Sequence, residues 1–187
     1  MPSDARVLEV APGPGYLSVA LAKLGAYKIT GLDISQSFVQ MASEYAKTEG
    51  VVAHFIHGSA SDIPFEDGFF DLIVCRAAFK NFSEPLRAIN EMHRVLKPCG
   101  KAVIIDLRHD ASWDEIVSYV DGLKLSAWNS WVTRMTFKHM LLKRAYTEQQ
   151  IESLAAASDF KSCEIIKNQV GMEIRLIRRQ PFAEQAA

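Results

Sequence analysis

The 187 residues contain only three cysteines, Cys75, Cys99 and Cys163, an odd number with no Cys-x-x-Cys spacing. This argues against a disulfide framework or a zinc cluster and leaves reduced thiols that act as small apolar side chains. No apolar run approaches the ~20 residues that span a bilayer, and no leader-like segment precedes the first strand pattern. An excess of positive charge is also missing. Lys plus Arg number 21 against 22 Asp plus Glu, a net charge of −1, so no global field favours nucleic acid. His54, His57, His93 and His139 share no metal-ligand spacing. There is no internal repeat and no low-complexity tract. These absences predict a soluble, cytoplasmic protein without a metal, a membrane or nucleic acid as partner.

What remains is 49% apolar and 23% charged, enough for one domain with a full core. Residues 7–15, Val-Leu-Glu-Val-Ala-Pro-Gly-Pro-Gly, set an apolar strand against a glycine-rich turn. Asp33 closes a second strand 18 positions after Gly15. Glycines let backbone approach a ligand, and a carboxylate at that distance can accept hydrogen bonds from ribose hydroxyls, so the pattern describes a nucleotide cradle.

Strand and helix patterns alternate along the chain. Strands are predicted at Arg6–Val10, Lys28–Asp33, Val51–Ile56, Asp71–Cys75 and Lys101–Asp106. The first helix carries Leu17, Ala20, Leu21 and Leu24 at helical spacing, with Gly25 as its C-cap. The second carries Phe38, Met41, Ala42 and Tyr45 behind Ser35 or Ser37 as N-cap. The third starts at Ser83 and Pro85 and turns Leu86, Ile89, Met92 and Leu96 inward, before a turn at Lys97–Gly100. Residues 111–146 break the alternation with helical pattern interrupted at Gly122. Thr147-Glu-Gln-Gln150 reads as a capping box for a helix through Ala157. Strands at Lys161–Lys167 and Met172–Arg178 then form a hairpin around Asn168–Gly171. The fold expected is α/β, a Rossmann-like, doubly wound, mostly parallel sheet with a C-terminal antiparallel hairpin strand. A helical lid insertion at about 111–146 lies within a single domain, 1–180, followed by a loose tail, 181–187. Gly13, Asp33, Ser59, Cys75 and Asp106 all fall at carboxyl ends of strands, the edge where such sheets bind ligands.

Which nucleotide the cradle holds is a separate question. A dinucleotide fold would place a third glycine where Ser18 stands, and Pro12 and Pro14 remove N–H donors that a pyrophosphate needs. The loop therefore leans away from a nicotinamide dinucleotide. The ordered set Glu9–Gly15, Gly31-Leu-Asp-Ile-Ser35, Gly58-Ser-Ala60, Ile63-Pro-Phe65, Phe70-Asp71 and Leu96-Lys-Pro-Cys-Gly100 resembles the class I S-adenosylmethionine-dependent methyltransferases, in particular their small-molecule branch. The resemblance covers roughly residues 5–107. It implies S-adenosyl-L-methionine as cofactor and methyl transfer to a small molecule by direct displacement. Glu9 would anchor the turn and neighbour the cofactor's amino group, and Gly13 and Gly15 would let backbone pass its methionine portion. Asp33 would bind the ribose, Ile34 would pack on adenine, and Ser59 and Ala60 would meet the adenine edge. Cys75 and Arg76 would border the sulfonium. Ala11 and Ser35 complete the implied cofactor set, and Tyr16 either closes over the methionine moiety or packs at its helix start.

The sequence departs from that family at three places. Ser59 stands where many relatives carry Asp, so charge assistance to adenine is lost. Phe79-Lys-Asn-Phe82 replaces a stretch that in many relatives holds histidines. Lys80 there either orients an acidic substrate or is a solvated loop lysine. Relatives also carry further residues before the first strand, so either the sequence is short at its start or the Trp-rich segment and a partner subunit, a second copy of the chain, supply cover for the cofactor. For the acceptor, Arg108 and His109 follow the fifth strand, although Asp106–Asp110 also reads as a solvated loop. Trp128 and Trp131 could roof a pocket with Met135 and His139, or form a core stripe. Asp71 reads as a cap on the turn before its strand. No catalytic residue is assigned, since a general base is needed only for a protonated nucleophile. Two other readings stay open: a cofactor-binding subunit without catalysis, and an NAD(P)-linked oxidoreductase.

Overall fold

Seven short segments rich in Val, Leu and Ile pair into one sheet in the computed structural model, which describes residue 2 and residues 4–180. The strands are β1 (Arg6–Val10), β2 (Lys28–Asp33), β3 (Ala53–His57), β4 (Phe70–Arg76), β5 (Leu96–Leu107), β6 (Glu164–Lys167) and β7 (Gly171–Ile177). Their order is β3-β2-β1-β4-β5-β7-β6. The first five run parallel, while β7 is antiparallel to both β5 and β6. The order reverses between β1 and β4, the place in a doubly wound sheet where loops part and leave a crevice. Six α-helices accompany the sheet: α1 (Tyr16–Lys23), α2 (Gln36–Thr48), α3 (Pro85–Val95), α4 (Trp113–Gly122), α5 (Ala127–Thr136) and α6 (Glu148–Ala157). The α/β architecture, the terminal hairpin and the helical segment after β5 are those the alternating pattern predicts. The predicted tail, 181–187, lies outside the described residues.

Helix faces are where pattern and structure diverge. On α1 the buried residues are Ser18 and Val19, while Leu24 is exposed. The polar Ser18 turns inward because its hydroxyl donates to buried Glu9 Oε2 at 2.5 Å. The helix ends at Leu24 without a left-handed Gly25. On α2, capped by Ser35, the buried set is Val39, Ala42 and Ala46, and Phe38 and Met41 face outward. A Cβ placed on Gly15 would lie 2.8 Å from the Ala42 Cβ, so only small side chains fit where α2 crosses the loop. On α3, Leu86 is exposed and Ala88 and Val95 join Ile89 and Met92 inside, with Glu84 rather than Ser83 at the N-cap.

The expected turn at Lys97–Gly100 is instead an irregular stretch inside a longer β5, with Cys99 in the left-handed region. Cys99 N donates to Arg178 O at 2.8 Å and Arg178 N to Gly100 O at 3.0 Å, so the chain beyond β7 supplies pairing that local pattern does not reveal. Asp71 caps no turn. It accepts from Arg6 N at 2.9 Å and from Lys97 Nζ at 2.7 Å, joining three strands at the edge opposite the crevice.

The main core, with Leu8, Phe70, Ile73, Met92, Ile104 and Ile174, packs the sheet against α3 and α6. Residues 111–146 hold a separate small core of Ile116, Val120, Phe137 and Leu142, closed by Val170 from the β6–β7 turn. Helix α5 buries nothing, which overturns the core-stripe reading of its tryptophans. Trp128 and Trp131 stack on each other at 5.4 Å and are 70% and 53% exposed.

Candidate functional site

The loop after β1 is built so that its own N–H groups are used. Ala11 N extends the pairing to Leu32 O at 2.8 Å, Gly13 N donates to Asp33 Oδ2 at 3.0 Å, and Gly15 N donates to Pro12 O at 3.0 Å. Pro12 and Pro14 carry no donor. Residues 11–15 therefore present no spare N–H to an anion, whereas a phosphate site is made of such donors. Ala11, Gly13 and Gly15 all take positive φ, 56°, 55° and 83°. The two glycines do different work. A Cβ on Gly13 would meet no protein atom within 4 Å, so this position faces open space that a ligand can enter. A Cβ on Gly15 would strike α2, which makes Gly15 a packing residue as well as a member of the candidate cradle. Gly31, which opens the motif before Asp33, is fixed likewise: its Cβ would lie 2.5 Å from Phe55 and 3.0 Å from Pro12.

Asp33, at the tip of β2, is 6% exposed. One oxygen accepts from Gly13 N, and the other accepts from Ser35 N at 2.9 Å. A carboxylate offers about four acceptor positions, so two remain for hydroxyl donors. Glu9, 2% exposed, lies one strand over, its carboxyl pushed above the ordinary range by burial and partly restrained by Ser18.

Beyond these groups opens a cleft lined by Val10, Ala11, Leu32, Ile34, Gly58–Ser61 and Asn81–Ser83. Ile34 is 73% exposed at its rim. Ser59 Oγ accepts from Ser61 N at 3.2 Å, which leaves its own O–H to donate elsewhere. The cleft thus gathers Ala11, Ile34, Ser59 and Ala60, while Gly13, Asp33 and Ser35, bound to one another, are chain neighbours of its Ala11 and Ile34 walls. Asn81 and Phe82, on the loop after β4, were not expected there; their only sequence signal is their position after a strand tip. Tyr16 packs edge-on against Tyr45 at 5.1 Å and is exposed, so it is not core.

Two of the candidate cations, Lys80 and Arg108, are held in buried pairings. Lys80 is neither a solvated loop lysine nor a free cation. Its Nζ donates to Asp106 Oδ1 at 2.7 Å and Ala77 O at 2.9 Å, with both side chains buried, and its N–H donates to Asp106 Oδ2. The pair ties the β4 loop to the end of β5. Arg108 is buried too, donating to Asn168 O and Gln169 O and pairing with Asp110 and Glu115. It fastens the β6–β7 turn to α4 and has no face for a substrate. Trp128 and Trp131 stand exposed on α5. His109 borders a separate cavity with Trp113 and Lys138. Cys75 is buried at the tip of β4, and desolvation pushes its thiol pKa far up, so it serves as wall rather than nucleophile. Arg76, next to it, is exposed. Among the described residues no group of His, Cys, Asp and Glu could hold a metal ion, and no helix is long and apolar enough to cross a membrane.

The parts present suit an adenosyl group without phosphates. They comprise a buried carboxylate with spare acceptor capacity, an apolar-walled cleft and a glycine facing open space. Asp33 would hold the ribose hydroxyls, Ile34 and Phe82 would flank adenine, and Gly13 would admit the amino-acid portion. Comparison with known proteins points the same way. Residues 8–104 match the family described as a methyltransferase domain. The chain is 33% identical over 125 residues to an uncharacterized methyltransferase, YcgJ, of Bacillus subtilis, covering 65% of this chain and 49% of that protein. It is 36% identical over 104 residues to a demethylmenaquinone methyltransferase of Staphylococcus haemolyticus, covering 54% and 43%. The matched stretch therefore spans about half the length of these relatives or less. In fold it is similar to a solved S-adenosylmethionine-dependent methyltransferase of Aquifex aeolicus, with a TM-score of 0.70 at 19% identity over 92% of this chain and 81% of that one. The crevice at the sheet's reversal point, the phosphate-averse loop and the family match agree: the chain belongs to the class I S-adenosylmethionine-dependent methyltransferases.

Proposed function

We propose that this protein transfers the methyl group of S-adenosylmethionine to a small-molecule acceptor in the cytoplasm. The observation that carries the reading is the Asp33–Gly13 contact: a buried carboxylate with unused acceptor positions beside a loop that has no N–H left for a pyrophosphate. When bound, the cofactor supplies an electrophilic methyl on a sulfonium, so the protein's part is alignment and exclusion of water. Asp33 fixes the sugar, the cleft walls fix the base, and the rigid β4 tip at Cys75 and Arg76 fixes the border of the acceptor space. Ala77, at φ 58° and donating to Ile105 O at 2.7 Å, turns the chain into the Phe79–Phe82 segment, of which Asn81 and Phe82 line the cleft. The small-molecule acceptor is supported by the acidic-to-neutral charge balance and by relatives named for demethylmenaquinone.

Calorimetric titration with S-adenosylmethionine, S-adenosylhomocysteine and NAD, together with labelled-methyl transfer to a panel of small acceptors, tests this. Binding of the first two with transfer, and loss of binding in Asp33→Ala, is expected. Binding of NAD alone would overturn the reading, and binding without transfer to any acceptor would favour a non-catalytic subunit.

A further inference from the structure

A second cavity, of about 500 Å³, lies beside the cofactor cleft and shares Asn81 with it. Its volume falls within the roughly 300–1,000 Å³ typical of small-ligand sites. We propose that this cavity is the acceptor pocket and that its acceptor carries an anionic group, a carboxylate or phosphate, on an apolar body. The proposal rests on the methyltransferase reading above.

Three observations carry it. The first is position. The cavity is lined by Ala77 and Lys80 from the loop after β4, so a molecule seated there reaches the strand tip where the transferable methyl is expected. The second is charge. Lys80 is already matched by Asp106, so it adds no net attraction. Lys143 and Arg144 on the same wall pair with no carboxylate among the described residues, and His139 stands beside them. Two unmatched cations around a concave surface favour an anion over its neutral counterpart, and arginine offers a fork of donors for two oxygens. The third is local backbone. Residues Phe137–Leu141 form a π-helical turn and Leu142–Arg144 a 3-10 turn, interruptions that re-aim side chains and recur at functional sites. Phe137 and Leu142 are anchored in the small core, and His139–Leu141 between them and Lys143 and Arg144 just after them line the cavity. Met140 and Leu141 thereby give the pocket an apolar, adaptable side next to its basic one.

The test is calorimetry on protein saturated with S-adenosylhomocysteine, using hexanoate, hexyl phosphate and the uncharged hexanamide at two salt concentrations. The expected result is that at least one anion binds about tenfold or more tightly than the amide and weakens as salt rises. The double variant Lys143→Met, Arg144→Met should bring that anion to the level of the amide while S-adenosylhomocysteine still binds. Which anion binds tighter identifies the acceptor's group. Equal affinity for anions and amide, no binding of either anion, or an anion preference that survives in the double variant would overturn the proposal while leaving the cofactor site intact. Anion binding in a protein that takes no S-adenosylhomocysteine would overturn the acceptor assignment together with the function it rests on.

Discussion

Replacing Gly13 and Gly15 separately with alanine should divide ligand recognition from folding, although both glycines sit in the same turn at positive φ. At Gly13 the added methyl meets no protein atom within 4 Å, so the folded protein bears only the backbone strain. A non-glycine residue in the left-handed region costs about 1–2 kcal/mol, offset by roughly 0.4–1 kcal/mol because alanine restricts the unfolded chain. The net is about 1 kcal/mol, a drop in Tm of about 2–4 °C for a domain of this size. At Gly15 the same strain is joined by a methyl 2.8 Å from the Ala42 Cβ and 3.1 Å from its Cα, which forces α2 outward. Overpacking of that kind adds about 1–3 kcal/mol, for a total near 2–4 kcal/mol and a Tm lower by about 4–16 °C. Cofactor affinity should show the opposite ranking. Gly13→Ala should weaken S-adenosylhomocysteine by at least about tenfold, or ~1.4 kcal/mol, because its methyl occupies the space the ligand needs. Scanning calorimetry and isothermal titration on both variants decide the matter. Equal Tm losses would refute the packing role of Gly15, and unchanged affinity in Gly13→Ala would refute the cradle.

Lys80→Met should destabilise by about 3–5 kcal/mol in urea unfolding, because it leaves the Asp106 carboxylate buried without a counter-ion. Adding Asp106→Leu should recover part of that loss, and a single-variant cost under about 1 kcal/mol would show the pair to be solvated. Burial raises the folded pKa of Glu9 above the ordinary value of 4.5, so its contribution to stability is full below that pH and is lost as pH rises through the folded pKa. Wild type should therefore lose stability relative to Glu9→Gln as pH climbs above 4.5, and a constant gap between the two unfolding curves would contradict this. An aromatic disulfide reagent at neutral pH should modify exposed Cys99 first and half-buried Cys163 slowly, with Cys75 reacting only on unfolding. Rapid labelling of Cys75 would mean that the β4 tip is open.

The strands and the site's frame were legible because both rest on local signals. Alternating apolar runs, glycine at a strand end and an acid at the next strand's tip are read directly from Val7–Gly15 and Lys28–Asp33. The Thr147 capping box was legible for the same reason, its two hydrogen bonds spanning four residues. Helix faces were not, because they depend on what lies opposite. Ser18 points inward to meet Glu9, and on α2 Val39 and Ala46 turn in where the stripe had placed Phe38 and Met41. Arg108 and Lys80 read as loop cations because their partners come from distant segments, Asn168 and Gln169 for one and Asp106 for the other. The exposed stack of Trp128 and Trp131 was misread because helical spacing shows that residues share a face, not that anything covers it. Asn81 and the second cavity were invisible in sequence, since they arise where the β4 loop meets the turns after α5.

A crystal structure of the protein with S-adenosylhomocysteine tests the central claim most directly. Density should show the ribose hydroxyls against the free lone pairs of Asp33, with adenine between Ile34 and Phe82 and the amino-acid portion over Gly13. Well-ordered ligand bound elsewhere, with the Asp33 carboxylate touching only Gly13 and Ser35, would contradict it.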